Sequence, residues 1–207
     1  MPALALNALL SGSTFGLSLI VAIGPQNAFV MRQGALRRHV AAVVVVCTVS
    51  DVILIALGVA GTGAALTGRP GLMEATRLAG TVALLAYAAL AARRSLRPQA
   101  SDGTGAPARH GRAAVIVACL ALTWLNPAVY LDTVVLLGSV AQAHGGRQWW
   151  FGGGAALGSA LWFAALAAAS SSAHSLLARP GMWRGVDGFV AVVMTTTAVR
   201  LLAAALG

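Results

Sequence analysis

Gly24-Pro25-Gln26-Asn27 stands inside an apolar run from about Leu4 to Met31 that holds no charged side chain, and Asn126-Pro127 stands inside a second run from about Ala113 to Val140. The two prolines are 102 residues apart in a chain of 207. Proline inside a helix removes one backbone hydrogen bond and pushes away the carbonyl one turn earlier. In lipid, the freed groups must be met by protein, water or a bound solute. One such break would serve equally as a packing kink. Two at matching places, each with side-chain amides beside it, point to the broken helices that form a transporter's midplane site.

The surroundings of the breaks are those of a membrane protein. Hydrophobic residues make up 58% of the chain, charged residues 9%, and mean hydropathy is +0.83. Soluble domains carry about 25% charged residues, so this chain cannot solvate an ordinary surface. A spanning helix needs about 20 apolar residues. Six runs qualify: about Leu4–Met31, Val40–Leu66, Leu72–Ala92, Ala113–Val140, Trp149–Ser170 and Trp183–Leu206. The uncharged start is too long for a signal peptide and lacks its basic region, so it reads as a retained first span. The polar stretch 93–112 is the one composition break. The expected architecture is therefore an all-α integral membrane protein with six transmembrane helices. Residues 1–92 form a first three-helix repeat, 93–112 a cytoplasmic loop and 113–207 a second repeat. Because three is odd, the second repeat enters the bilayer from the opposite side, as an inverted repeat, and the first helix of each repeat is broken.

The formal net charge is +9, from 14 arginines, no lysine and five acids. The arginines do not form the patch a nucleic-acid partner would need. They punctuate the apolar runs: Arg32, Arg37 and Arg38; Arg93, Arg94 and Arg97; Arg109 and Arg112; Arg179 and Arg184. With six spans all these fall on one side, which is then cytoplasmic, with both termini outside. Arg69 and Arg147 fall on the other. Were the third run not to insert, five spans with the opposite N-terminal orientation would result. Arg32 reads as an orientation charge or as a gate at the cytoplasmic mouth. Trp149, Trp150 and Trp183 mark span ends, as interfacial aromatics do. Glu74 and Arg77 are spaced as an ion pair.

Asp51 falls near the middle of the second span. Asp132 falls in the fourth, five residues after Pro127 and roughly 7 Å along a helix. An acid at the bilayer centre costs about 2.5–3.5 kcal/mol on insertion scales, so each should face a cavity or a partner. Tyr130, one turn after Asn126, should face the same cavity. Cys47 and Cys119 lie far apart in sequence and form no CxxC, which leaves them as two small buried hydrophobes. His39, His110, His144 and His174 do not cluster, so no metal is expected, and no cofactor motif is present. There is no GxSxG, HExxH or Walker A sequence, hence no sign of an enzyme or of ATP-driven transport by this chain alone. Gly12-xxx-Gly16 and Gly154-xxx-Gly158 permit close helix approach, within one chain or in a homodimer.

The stretch Ala22-Ile23-Gly24-Pro25-Gln26-Asn27-Ala28-Phe29-Val30-Met31-Arg32-Gln33-Gly34 resembles the first-span signature of the lysine/arginine exporter family (LysE/ArgO type). Thr123-Trp124-Leu125-Asn126-Pro127 with Val129-Tyr130-Leu131-Asp132-Thr133 is similar to its second-half signature, and Ser50-Asp51 with Ile55-Ala56-Leu57-Gly58 to its second span. Ala128 is a departure, since many members hold His or Asn there. The resemblance implies a secondary exporter of basic amino acids in the bacterial inner membrane, driven by the proton gradient or membrane potential. Carried over position by position, its substrate residues are Gly24, Pro25, Gln26, Asn27, Asp51, Asn126, Pro127, Tyr130 and Asp132. The alternative is export of another small solute, a neutral amino acid or an inorganic cation, on the same scaffold.

Overall fold

The computed structural model describes residues 2–21, 24–61, 70–96, 111–177 and 180–206. Within them the chain is helical, with no strand. Helices α1 (Pro2–Ile20), α2 (Pro25–Ala35), α3 (Val40–Val59) and α4 (Pro70–Leu96) precede the long loop. After it come α5 (Arg112–Trp124), α6 (Pro127–Val129), a π-helical stretch (Tyr130–Leu137), α7 (Gly138–Gln142), α8 (Gln148–Ser172), α9 (His174–Leu177) and α10 (Pro180–Leu206). Among the described residues three helical stretches are each long and apolar enough to cross a bilayer: Pro2–Ile20, Val40–Val59 and Gly145–Ser172. The exterior is apolar, with Val45, Val49, Val82, Val117, Leu161 and Val192 all exposed. Such a surface suits lipid and not water. The protein is a helical membrane protein.

Both proline breaks are present. Gly24 has an extended backbone, Pro25 opens α2, and the Ala28 N–H donates to the Gly24 carbonyl at 3.0 Å. Proline suits this first helical position because its missing N–H would have had no partner there. In the second break Pro127 opens α6. The Asn126 side-chain oxygen accepts from the Ala128 N–H at 3.2 Å, and its carbonyl accepts from Val129 at 3.1 Å. The continuation from Tyr130 to Leu137 is π-helical. The sequence runs gave no hint of that wider turn, which frequently accompanies functional sites.

Three apolar clusters hold the helices together. The first joins Val30, Val43, Cys47, Val115, Cys119, Phe163 and Ala167. The second joins Ile55, Val59, Leu137, Ala141, Phe151 and Ala155. The third joins α4 to α10 through Leu84, Ala88, Ala91, Val190, Met194 and Ala198. Along α3 the order is Cys47, Asp51, Ile55; along α8 it is Ala155, Ser159, Phe163. The two helices therefore pass through the first two clusters in opposite directions, with Asp51 and Ser159 between.

Glycines set the closest approach. A Cβ on Gly12 would lie 2.7 Å from the Phe151 carbonyl carbon, and one on Gly154 2.9 Å from the Ser13 nitrogen. The Ser13 hydroxyl donates to the Gly154 carbonyl at 2.9 Å. Both small-residue motifs thus pack α1 on α8 within one chain. Gly58 and Gly138 bring α3 onto α7 in the same way.

Cys47 and Cys119 are buried and free, as the sequence reading has them, and the fold adds their proximity. They are separate in the chain but adjacent in space, with sulfurs 3.2 Å apart between α3 and α5, both as free thiols. Most of the loop 93–112, with Arg97, Arg109 and His110, lies outside the described residues, as do Arg69 and Arg179. The side chains of Arg77, Arg94, Pro127 and Trp183 are likewise outside them, and with them the expected Glu74–Arg77 pair.

Candidate functional site

Between the two breaks lies a cavity of about 180 Å³. Drug-sized pockets run from roughly 300 to 1,000 Å³, so this one suits a single small solute. Gly16, Leu19 and Ile20 of α1 line it, followed by Gly24, Pro25, Gln26 and Asn27 of the first break. Asn126, Ala128, Val129, Asp132 and Thr133 line it from the second. Asp51 and Ile55 close it from α3, Ala155 and Ser159 from α8, and Leu84, Val193, Met194 and Thr197 from α4 and α10. Every long helix but α5 contributes, which is why no sequence segment carries the site alone.

Asp51 is 6% exposed, and Ser159 donates its hydroxyl to Oδ2 at 2.6 Å. Asp132 lines the same cavity from the π-helical stretch and keeps an exposed surface. The two carboxylates thus differ: one is deep and anchored, the other stands where the cavity opens. Opposite charge is what such a pair attracts.

The amides divide in the same manner. Asn27 is committed to structure, since its Nδ2 donates to the Ile20 carbonyl at 2.8 Å and its Oδ1 accepts from Trp162 at 3.3 Å. It thereby satisfies a carbonyl orphaned where α1 ends. Asn126 uses its oxygen to cap α6. Gln26 has a buried Nε2 with no hydrogen-bond partner. A buried donor left unpaired costs about 1–3 kcal/mol, so Gln26 is the amide with most to gain from a ligand.

Tyr130 is not part of the lining, and the Pro127 side chain lies outside the described residues. The Tyr130 hydroxyl donates to the Trp124 carbonyl at 2.8 Å, closing the end of α5 as Asn27 closes the end of α1. Trp124 in turn donates to the Ser50 hydroxyl at 3.1 Å, next to Asp51. Ser159, Thr133, Met194 and Thr197 were missed in the sequence. For Ser159 a signal existed: it stands 108 residues after Asp51, close to the 102 that separate the prolines.

At one end of the molecule Arg37 Nε donates to the Ser171 carbonyl at 3.2 Å, and its Nη2 lies 3.1 Å from His174 Nδ1. Ser95 and Arg184 exchange two bonds, at 3.0 and 2.9 Å. The ends of α2, α8 and α9 thus meet, as do the end of α4 and the start of α10. Gln142 donates to the Val59 carbonyl at 2.5 Å, tying the end of α7 to the end of α3.

Relatives agree with this picture. A putative amino-acid transporter of Mycobacterium tuberculosis is 42% identical over 189 residues, covering 90% of this chain and 92% of that protein. The lysine exporter LysE of Corynebacterium diphtheriae is 36% identical over 223 residues, covering 93% and 97%. The arginine exporter protein ArgO of Yersinia enterocolitica is 42% identical over 131 residues, covering 63% and 64%. No solved structure gives a significant match. The family model of LysE type translocators matches residues 17–205, which takes in both breaks, both carboxylates and all of the cavity lining named above but Gly16, and the chain belongs to that family.

Proposed function

We propose that this protein is a secondary active exporter of basic amino acids, lysine, arginine or both, across the bacterial inner membrane. The observation that carries the reading is the pair of carboxylates, Asp51 and Asp132, on one small cavity between two helix breaks. The side-chain cation meets these acids. The α-carboxylate meets Gln26, the Asn126 amide and the start of α2, where the helix dipole favours an anion. Gly24, Pro25, Asn27, Pro127 and Tyr130 shape the breaks and hold them open.

Six spans in two inverted repeats support alternating access. Pairing the helices as α1–α2 with α5–α7, α3 with α8 and α4 with α10 makes the packing symmetric. The first break rests on α8 as the second rests on α3, and α4 and α10 rest on each other. Opposite directions of α3 and α8 agree with it. The contacts of Arg37 with Ser171 and His174, and of Ser95 with Arg184, agree with spans one, three and five ending on one side, which the arginine-rich loops would make cytoplasmic.

Moving a cation outward against a negative-inside potential costs about 2.3 kcal/mol per charge per 100 mV. Export therefore needs coupling, and inward proton movement is the simplest. Asp51 exchanges the substrate cation for a proton that arrives from outside, which keeps the buried carboxylate neutralised throughout the cycle.

The test is efflux of labelled lysine and arginine from preloaded cells with and without the protein, and with Asp51→Asn. Wild type accelerates efflux of at least one, and the variant does not. Asp51→Asn protein that transports in liposomes and keeps its proton dependence would refute the role of Asp51. Failure of both amino acids to move would refute the substrate.

A further inference from the structure

Many hydroxyls on the helices of this molecule bond within their own helix. Those of Ser170, Ser171, Thr195, Thr196 and Thr197 donate to a carbonyl of their own helix one turn back. This local bond is the ordinary alternative to a tertiary one for Ser and Thr. Ser159 instead bonds across helices, as Ser13 and Ser95 also do. Its hydroxyl crosses from α8 to α3 and donates to Asp51 Oδ2. Ser159 is 2% exposed. Among the described residues it is the one hydrogen-bond partner Asp51 has, so Oδ1 is the acceptor that remains, on a residue that lines the cavity.

A carboxylate with one oxygen already bonded is not neutral between the two basic side chains. A guanidinium is a planar fork that binds a carboxylate best through two parallel N–H···O bonds, one to each oxygen. An ammonium is a compact point charge that one oxygen satisfies. With Ser159 already donating to Oδ2, the fork must share that oxygen with the hydroxyl, which weakens its second bond. The ammonium approaches Oδ1 unopposed.

We propose that Ser159 is a positioning residue that presents Asp51 through one oxygen and so sets a preference for an ammonium over a guanidinium side chain, lysine over arginine. The inference rests on the basic amino-acid reading above, with Asp51 meeting the side-chain cation. Asp132, at the cavity opening, meets either side chain and does not discriminate.

The experiment loads one set of proteoliposomes with lysine and arginine carrying different labels, at equal concentration, and reads the ratio of the two efflux rates. The ratio within one preparation does not depend on how much protein has folded. Wild type favours lysine. Ser159→Ala frees Oδ2 and moves the ratio about ten-fold towards arginine, the factor that one hydrogen bond to a charged group carries. Ser159→Thr keeps a hydroxyl and keeps the wild-type preference. Should Ser159→Ala fold poorly, Ser159→Cys, similar in size but a weak donor, is read in its place and gives the same direction. An unchanged ratio in the variants, or a wild type that favours arginine, overturns the role of Ser159 and leaves the exporter reading standing. A wild type that moves neither amino acid overturns the exporter reading, and the Ser159 inference falls with it.

Discussion

Gly152, Gly153 and Gly154 are consecutive on α8, yet alanine at the last two should act in opposite directions. A Cβ on Gly154 would lie on the Leu9 carbonyl, 2.8 Å from its carbon and 2.9 Å from the Ser13 nitrogen. These are backbone atoms and cannot swing aside, so α1 and α8 must separate. Separation also strains the 2.9 Å bond from the Ser13 hydroxyl to the Gly154 carbonyl. Overpacking costs about 1–3 kcal/mol, and an interhelical hydrogen bond in a membrane protein is worth about 0.6 kcal/mol. The better helix propensity of alanine returns roughly 0.8–1 kcal/mol. Gly154→Ala is then destabilising by about 1–3 kcal/mol. Gly153 has nothing within 4 Å of the same atom, so Gly153→Ala keeps the propensity gain of up to about 1 kcal/mol. The two variants should differ by about 2–4 kcal/mol, roughly 30- to 700-fold in the folded-to-unfolded ratio. Reversible unfolding in mixed micelles, followed by the fluorescence of the five tryptophans, measures both. Because Gly16 and Ala155 carry this interface to the cavity wall, Gly154→Ala should also slow export per folded molecule. Equal destabilisation by the two substitutions would refute the α1–α8 packing described here, as would a neutral Gly154→Ala.

Three further outcomes follow from the same geometry. Cys47→Ala with Cys119→Ala should retain export and lose about 1 kcal/mol of stability from the small cavity left behind; loss of transport with folding intact would give the thiol pair a chemical role. In that cysteine-free background, Arg37→Cys and Arg184→Cys should react with a membrane-impermeant maleimide only from the cytoplasmic face, and Arg147→Cys only from the outer face; reaction of Arg147→Cys and Arg184→Cys from the same face would refute the six-span arrangement. Tyr130→Phe should cost about 0.6–1.7 kcal/mol, the range measured for interhelical bonds in membranes, by orphaning the Trp124 carbonyl; unfolding measurements showing no loss would refute its role in closing α5.

Much of the candidate site was legible because proline and charge act locally. Pro25 and Pro127 break a helix wherever it packs, and an acid in an apolar run must find a polar neighbour. Asp51 and Asp132 could be marked on that ground. Which neighbour they find depends on the register between helices far apart in sequence. Ser159 met Asp51 because α8 packs closely on α3, where Gly152 stands against Val59 and Ile55. Tyr130 was expected in the cavity by its one-turn spacing from Asn126. The π-helical stretch begins at Tyr130 itself, and its hydroxyl turns back to close α5.

Residue types alone were enough to assign the chain to a membrane, to locate both helix breaks and to mark the two acids within apolar runs. These follow from transfer free energies and from the missing N–H of proline, and neither needs a partner to be known. Helix packing added the rest: both breaks and both carboxylates line one cavity, Asn27 closes the end of α1 while Gln26 Nε2 lacks a hydrogen-bond partner, and Cys47 touches Cys119. The physical reason is that hydrogen bonds and contacts act over a few ångströms, and helix packing alone brings residues about 100 positions apart to that distance.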